Sequence, residues 1–328
     1  MSFLVLTQTE VEELLPMREC VDAMQDVLVS LQRGELHQPL RLVVSPPGTE
    51  ELMALMPTHR RGENGAWGLK VVSISPRNRA RGLDVHQGAV VVFDAETGEV
   101  RAIVNASAVT AIRTAAVSGV ATRLLARADA RELAVLGAGV QARSHLEAMA
   151  AVRLLERARV YARTPEHAAA LANDCSSRLG FPVEAVASAK EAIRGADVVV
   201  TATSSSQPVL ERAWLAEGVH VNAVGACLPD VRELDTATVA AARLVVDRRE
   251  SALNEAGDVL IPIREGAFGP EHIAAELGEI ANGDEPGRTS ATELTVFESL
   301  GLAVEDLAAA QLVLRRAEEA GAGTRVEF

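Results

Sequence analysis

Residues 132–142 run from an apolar strand pattern into the turn Gly137-Ala138-Gly139-Val140-Gln141-Ala142, and a helical pattern follows. This is the GxGxxA arrangement that cradles a dinucleotide pyrophosphate. The first glycine permits a tight turn, and the second lets the backbone approach the phosphates. The small third residue lets helix and strand pack closely, and free N–H groups at the helix start face the negative charge. The next strand ends in Val160-Tyr161-Ala162-Arg163-Thr164-Pro165, with no acid at the position that binds the ribose 2′-hydroxyl in NAD-selective sites. Arg163 suits a 2′-phosphate, and Thr164 can add a hydroxyl donor and cap the helix that follows. NADP(H) is favoured, with NAD(H) as the alternative. The hydroxyl-rich loop 201–208 brings Thr203 to the same sheet edge, beside the cofactor crevice, with an ordinary polar turn as the alternative.

A second signal is a lysine. Of 32 basic residues only Lys70 and Lys190 are lysine. Lys70 sits in the strand pattern 67–74 with apolar neighbours, where it must reach water, meet an anion or lose its charge. It can bind a carboxylate, or act as an acid or base once its pKa falls. A snorkelling edge-strand lysine is the bland alternative. Arg113 lies near the start of a long helical pattern, where it can touch both a cofactor phosphate and a substrate anion, and Arg41 begins another strand. Two guanidinium forks and an ammonium would clamp a carboxylate. Linear spacing leaves their convergence open.

The elements that must position these residues fall into two grammars. A strand at 3–6 and helices at 8–14 and 18–32 precede consecutive strands at 41–44, 52–55, 67–74, 88–93 and 100–104. Strands without intervening helices imply an α+β unit with a largely antiparallel or mixed sheet. After a helix over 106–127 the chain alternates, with strands at 133–136, 159–161, 183–186, 197–201, 219–224 and 244–246 separated by helices. Such alternation implies a parallel sheet with right-handed crossovers. The fold class expected is α/β, a doubly wound Rossmann sheet plus an α+β substrate-binding and dimerisation domain. The expected domains are residues 1–122 with 304–328, and residues 123–303, the last helix packing back on the first domain.

Composition excludes other classes. The 328 residues carry a formal net charge of −13, which opposes nucleic acid, and aromatic stacking platforms are few. No apolar run is long enough to span a membrane, and no basic leader precedes an apolar stretch. Three scattered cysteines suit a reducing cytoplasm. No His or Cys spacing suggests a metal site. The ligand expected is a small anion, held in a local basic pocket.

Several segments resemble the ornithine cyclodeaminase/mu-crystallin family over nearly the whole chain. They are Gln38-Pro39-Leu40-Arg41, Gly68-Leu69-Lys70, Val85-His86-Gln87-Gly88-Ala89, residues 110–116, the glycine turn, residues 222–235 and residues 295–306. The resemblance implies a homodimer whose first domain supplies the interface and the substrate pocket, with Arg41, Lys70 and Arg113 on the substrate carboxylate. It also implies cofactor contacts from Gln141, from residues after the second strand and from Ser299. Arg113, Thr114, Gly137, Ala138, Gly139, Val140, Arg163, Thr164, Thr203, Val224 and Cys227 complete the expected cofactor set. The cyclodeaminases carry an acidic base two positions after the glycine that matches Gly225, whereas this chain has Cys227 there. Its Pro229-Asp230-Val231-Arg232-Glu233-Leu234 segment is similar to that of the ketimine reductases. The reaction expected is NAD(P)H-dependent reduction of an α-imino acid, such as Δ1-pyrroline-2-carboxylate or Δ1-piperideine-2-carboxylate, to an L-amino acid. Lys70, or a water held by Asp230, would supply the proton, although Asp230 equally suits a turn ahead of a helix capped by Asp235. The alternatives are an ornithine cyclodeaminase, an alanine-type amino-acid dehydrogenase and a non-catalytic small-ligand binding protein.

Overall fold

The computed structural model describes residues 2–62 and 64–327. The chain divides into two units, Met1–Arg113 with Gly301–Phe328, and Thr114–Leu300. The first border falls inside the helix Ala106–Leu125.

In the first unit, alternating strands build one mixed sheet. Ser2–Leu6 runs parallel to Val100–Asn105, and antiparallel pairing then continues through His86–Asp94, Ala66–Ile74 and Leu52–Arg60. The hairpin between His86–Asp94 and Val100–Asn105 closes where Asp94 accepts the N–H groups of Glu96 and Thr97, both at 3.0 Å. Thr7 and Glu10 cap each other's backbone at the start of Gln8–Leu14, a capping box. The helix Met17–Gln32 buries Cys20, Val21, Met24, Val27 and Leu28, a stripe at helical spacing. That stripe meets the C-terminal helix Ala303–Ala320, which also covers one face of the sheet. The packing-back expected of this helix is therefore observed. Thr324–Glu327 then adds an antiparallel strand on Ser2–Leu6, an element the sequence reading missed.

The second unit holds eight parallel strands. Their order is Val183–Ala185, Arg157–Tyr161, Glu132–Leu136, Val198–Thr201, His220–Ala223, Thr295–Glu298, Arg243–Val246 and Ile273–Glu276. Chain order reverses between Glu132–Leu136 and Val198–Thr201, the switch point where open α/β sheets bind ligands. The central strands are buried on both faces, which is why they read as continuous apolar runs. Ile273–Glu276 and Thr295–Glu298 are strands that the sequence reading did not anticipate. Among the described residues, no helix is long and apolar enough to cross a membrane.

Candidate functional site

The glycine turn stands at the switch point of the second unit. Gly137 has φ +121, and a Cβ there would lie 2.3 Å from the Ala202 carbonyl oxygen, so only glycine fits between the two loops. Its N–H donates to the Tyr161 carbonyl at 2.8 Å, tying the turn to the neighbouring strand. At Gly139 an added Cβ would meet nothing within 4 Å among the described residues, and this open approach is where a pyrophosphate backbone contact belongs. Gly139 is also the N-cap of Val140–Val152, with no side-chain capping bond there among the described residues. The first N–H groups of this helix are thus available to an anion. Ala142 is fully buried beneath the turn, as close packing of helix and strand requires. His145 Nδ1 lies 2.7 Å from the Gln141 carbonyl and its Nε2 lies 2.9 Å from Ser118 Oγ. A carbonyl can only accept, so Nδ1 carries the proton, and burial depresses the imidazole pKa to about 4. A neutral His145 therefore anchors the backbone at Gln141. On these observations the turn fits a dinucleotide.

The other expected cofactor residues gather at the carboxyl edge of the same sheet. Arg163 and Thr164 are exposed just after Arg157–Tyr161. Thr164 occupies the N-cap of Pro165–Leu179, but its side chain makes no capping bond, which corrects that part of the reading. With φ −103 and ψ 104 its backbone stands short of the more extended geometry, ψ 155 to 169, at the caps of Thr7, Ser188 and Asp235, which do bond. The Cys227 thiol donates weakly to the Val224 carbonyl at 3.5 Å and lies 3.9 Å from the Ser299 carbonyl, so these three residues share one corner. Ser299 is 2% exposed, and its hydroxyl finds no hydrogen-bond partner among the described residues. An orphaned buried hydroxyl at the cofactor edge suits a bound polar group. Thr114 is buried in Ala106–Leu125 beside Arg113.

The cation cluster lies wholly in the first unit. Lys70 sits on Ala66–Ile74 between two partner strands, so it is not the snorkelling edge lysine. It points to the face covered by the C-terminal helix and is 3% exposed. Its Nζ meets Asp306 Oδ2 at 2.7 Å. Arg113 places Nε on Asp306 Oδ1 and Nη1 on Glu305 Oε2, both at 2.8 Å. Arg41 donates from Nη2 to the Gly301 carbonyl at 3.0 Å. Gly301 has φ +81, and a Cβ there would meet the Arg113 guanidinium at 2.4 Å. The three cations that linear spacing could not join therefore converge on Gly301 and the first turn of Ala303–Ala320. Helix polarity favours carboxylates at that turn.

Burial dominates the electrostatics here. It depresses the Lys70 pKa to about 8, against the pull of Asp306 and with the push of Arg113 and Arg41. Burial also works against the charge on Arg113, but Asp306 and Glu305 outweigh it and hold that proton more tightly than usual. Asp306 is lowered by Arg113 and Lys70 despite its own burial. Two charged anchors and a lysine poised near neutrality are thus preorganised around one point. Glu305 and Asp306 lie within the segment 295–306, to which the sequence assigned no role of this kind. The available signal was a pair of acids in the first turn of this helix, directly ahead of the apolar stretch 307–310.

Asp230 lies in the second unit, in the turn before Asp235, where its side chain is 83% exposed and pairs with Arg264 Nη1 at 2.8 Å. Asp235 caps Thr236–Ala241 by accepting the Thr238 N–H, as expected.

The chain is similar to known proteins over nearly its whole length. The sequence profile of the ornithine cyclodeaminase/mu-crystallin family matches residues 1–321. A Δ1-pyrroline-2-carboxylate reductase of Bacillus cereus is 40% identical over 326 residues, 99% of this chain and 100% of the relative. The ketimine reductase mu-crystallin of Mus musculus is 41% identical over 280 residues, 85% of each chain. The solved structure of Thermococcus litoralis Δ1-pyrroline-2-carboxylate reductase, in complex with NADH and L-proline, superposes with a TM-score of 0.96 at 39% identity, covering 99% of this chain and 100% of that one. Profile, full-length relatives and backbone meet on the same conclusion: the chain belongs to the ornithine cyclodeaminase/mu-crystallin family.

Proposed function

We infer that this chain is an imine oxidoreductase that reduces a cyclic α-imino acid, of the Δ1-pyrroline-2-carboxylate or Δ1-piperideine-2-carboxylate type, to the L-amino acid with a reduced nicotinamide cofactor. The observation that carries the reading is the convergence of Arg41, Lys70 and Arg113 on Gly301 and Asp306, in a chain that also holds a glycine turn shaped for a dinucleotide. The anchors bind and orient the substrate carboxylate, which is positional catalysis. When bound, the cofactor supplies a hydride to the imine carbon. The nitrogen must gain a proton, and Lys70 is the donor we assign, because its pKa of about 8 lets it give up a proton near neutral pH. Asp230 is not assigned this step, being exposed and held by Arg264.

The full-length relative that reduces Δ1-pyrroline-2-carboxylate supports the substrate class. A cyclodeaminase is disfavoured because the position of its acidic base is occupied by the half-buried thiol of Cys227. NADPH is proposed over NADH on the strength of Arg163 and Thr164, although the Thermococcus relative holds NADH. Replacing Arg163 with Asp should reverse the ratio of kcat/KM values for the two nucleotides by about tenfold or more. An unchanged ratio would remove Arg163 from the specificity argument. A homodimer is also proposed, supported by the exposed apolar side chains Leu42, Val43, Val44, Met53 and Trp67 on neighbouring strands.

The deciding experiment incubates purified protein with Δ1-pyrroline-2-carboxylate or Δ1-piperideine-2-carboxylate and NADPH or NADH, and follows nucleotide oxidation and amino-acid formation. Stoichiometric proline or pipecolate is expected. Ammonia release from ornithine with NAD+ would instead establish the cyclodeaminase. Turnover of pyruvate with ammonia alone would point to a dehydrogenase, and nucleotide binding with no turnover on any substrate would leave a binding protein.

A further inference from the structure

Four carboxyl groups of the second unit, Glu233, Asp247, Asp258 and Glu298, are buried to 2% exposure or less. Carboxylates so placed are costly unless hydrogen-bonded. Three of them accept backbone N–H groups, and the pattern of those bonds is informative. Asp247 takes Arg248 at 2.8 Å and Leu300 at 2.7 Å. Asp258 takes the amides of Glu233 and Leu234, at 2.9 and 2.8 Å. Glu233 in turn takes Thr203 on Oε1 at 2.6 Å and Gly225 on Oε2 at 2.8 Å.

Thr203 and Gly225 belong to the loops that follow two adjacent strands, Val198–Thr201 and His220–Ala223. The first of these loops is the one whose Ala202 carbonyl fills the space a Gly137 side chain would need. The second carries Val224 and Cys227, which share a corner with Ser299. One carboxylate therefore ties together both loops beside the glycine turn. Gly225 reports the tightness of the fit. A Cβ there would stand 2.5 Å from Glu233 Cδ and 2.5 Å from the Thr203 carbonyl oxygen, so no side chain can coexist with the bound carboxylate.

We propose that Glu233 is a positioning residue for the nicotinamide cofactor, holding loops 201–208 and 224–228 at the spacing the bound dinucleotide requires. The proposal rests on the functional reading above and adds to it a residue that touches neither substrate nor hydride. Glu298 completes the arrangement. Its two oxygens find no hydrogen-bond partner among the described residues. Burial, then Asp258, Glu233 and Asp247, drive its pKa well above the usual carboxyl range.

The test is Glu233→Gln, measured as the Kd for NADPH and NADH by nucleotide fluorescence, beside KM for the imino acid. The amide keeps one acceptor and turns an N–H group against a backbone donor, so one loop is released. Kd should rise by about tenfold, the size of one hydrogen bond, while KM for the imino acid stays within about twofold. A purely structural role would lower Tm and leave the Kd of the folded protein unchanged, and that result overturns the proposal. Gly225→Ala is the second variant, displacing the same carboxylate from the other side, and the same Kd outcome is expected. In the wild type, hydrogen exchange at the Thr203 and Gly225 amides should be as slow as in the adjoining strands. Exchange at the rate of open loops would overturn the clamp without any variant. Wild-type protein that binds neither nucleotide would sink the functional reading itself, whereas wild-type binding with unaltered variants sinks the Glu233 assignment alone.

Discussion

At Lys70 the cost of burying an ammonium is offset by Asp306 at 2.7 Å, and the balance leaves a group that yields its proton near pH 8. A donor must be protonated to act, so kcat should fall as pH rises through about 8, and a pH–rate profile of NAD(P)H oxidation reads this directly. Lys70→Arg keeps the charge but holds its proton at every accessible pH. That variant should lose the inflection near pH 8 and about 10²-fold or more in kcat, with nucleotide Kd unaltered. A retained inflection would assign the proton elsewhere. Arg113 carries a stability cost of its own. Arg113→Leu strands Glu305 and Asp306 without their guanidinium, and should destabilise by about 3–5 kcal/mol in chemical denaturation. A loss below about 1 kcal/mol would mean that the two carboxylates find other donors.

The glycine turn separates two requirements that sequence motifs merge. Gly137 is needed by the fold, since φ +121 and the Ala202 carbonyl at 2.3 Å exclude any side chain. Gly139 is needed only by a ligand, since nothing among the described residues approaches its Cβ position. Gly139→Ala should therefore fold with a Tm within about 2 °C of wild type while Kd for nucleotide rises about tenfold or more. Gly137→Val should lose stability and binding together. Equal effects from both variants would refute the distinction. Most elements here were legible because their signals are local. The stripe of Cys20, Val21, Met24, Val27 and Leu28 declares a helix, and the GxGxxA turn declares its neighbours. The Thr164 cap failed because residue type allows a cap that backbone geometry then does not close.

On the first unit, one face of the sheet is left without a covering layer among the described residues. The first-unit sheet has the C-terminal helix on one face, while Met53, Trp67 and neighbouring apolar residues point outward on the other. A sheet face of this kind calls for a partner layer. A homodimer is the expected occupant, and Trp67→Glu combined with Val71→Glu should halve the mass in light scattering while nucleotide binding persists. A monomeric wild type would end that assignment. What the sequence determined alone is the set of features that reside within a dozen consecutive residues: the glycine turn, the helix stripes, the strand alternation and the oddity of a lone lysine in a strand. Only the tertiary structure decided that Lys70 and Arg113 meet Asp306 on the last helix, and that Glu233 closes on Thr203 and Gly225. It also decided that Thr295–Glu298 inserts between His220–Ala223 and Arg243–Val246. Side-chain periodicity and turn chemistry depend on neighbours along the chain. The pairing of buried charges and the order of strands depend on which distant segments the closing core brings together.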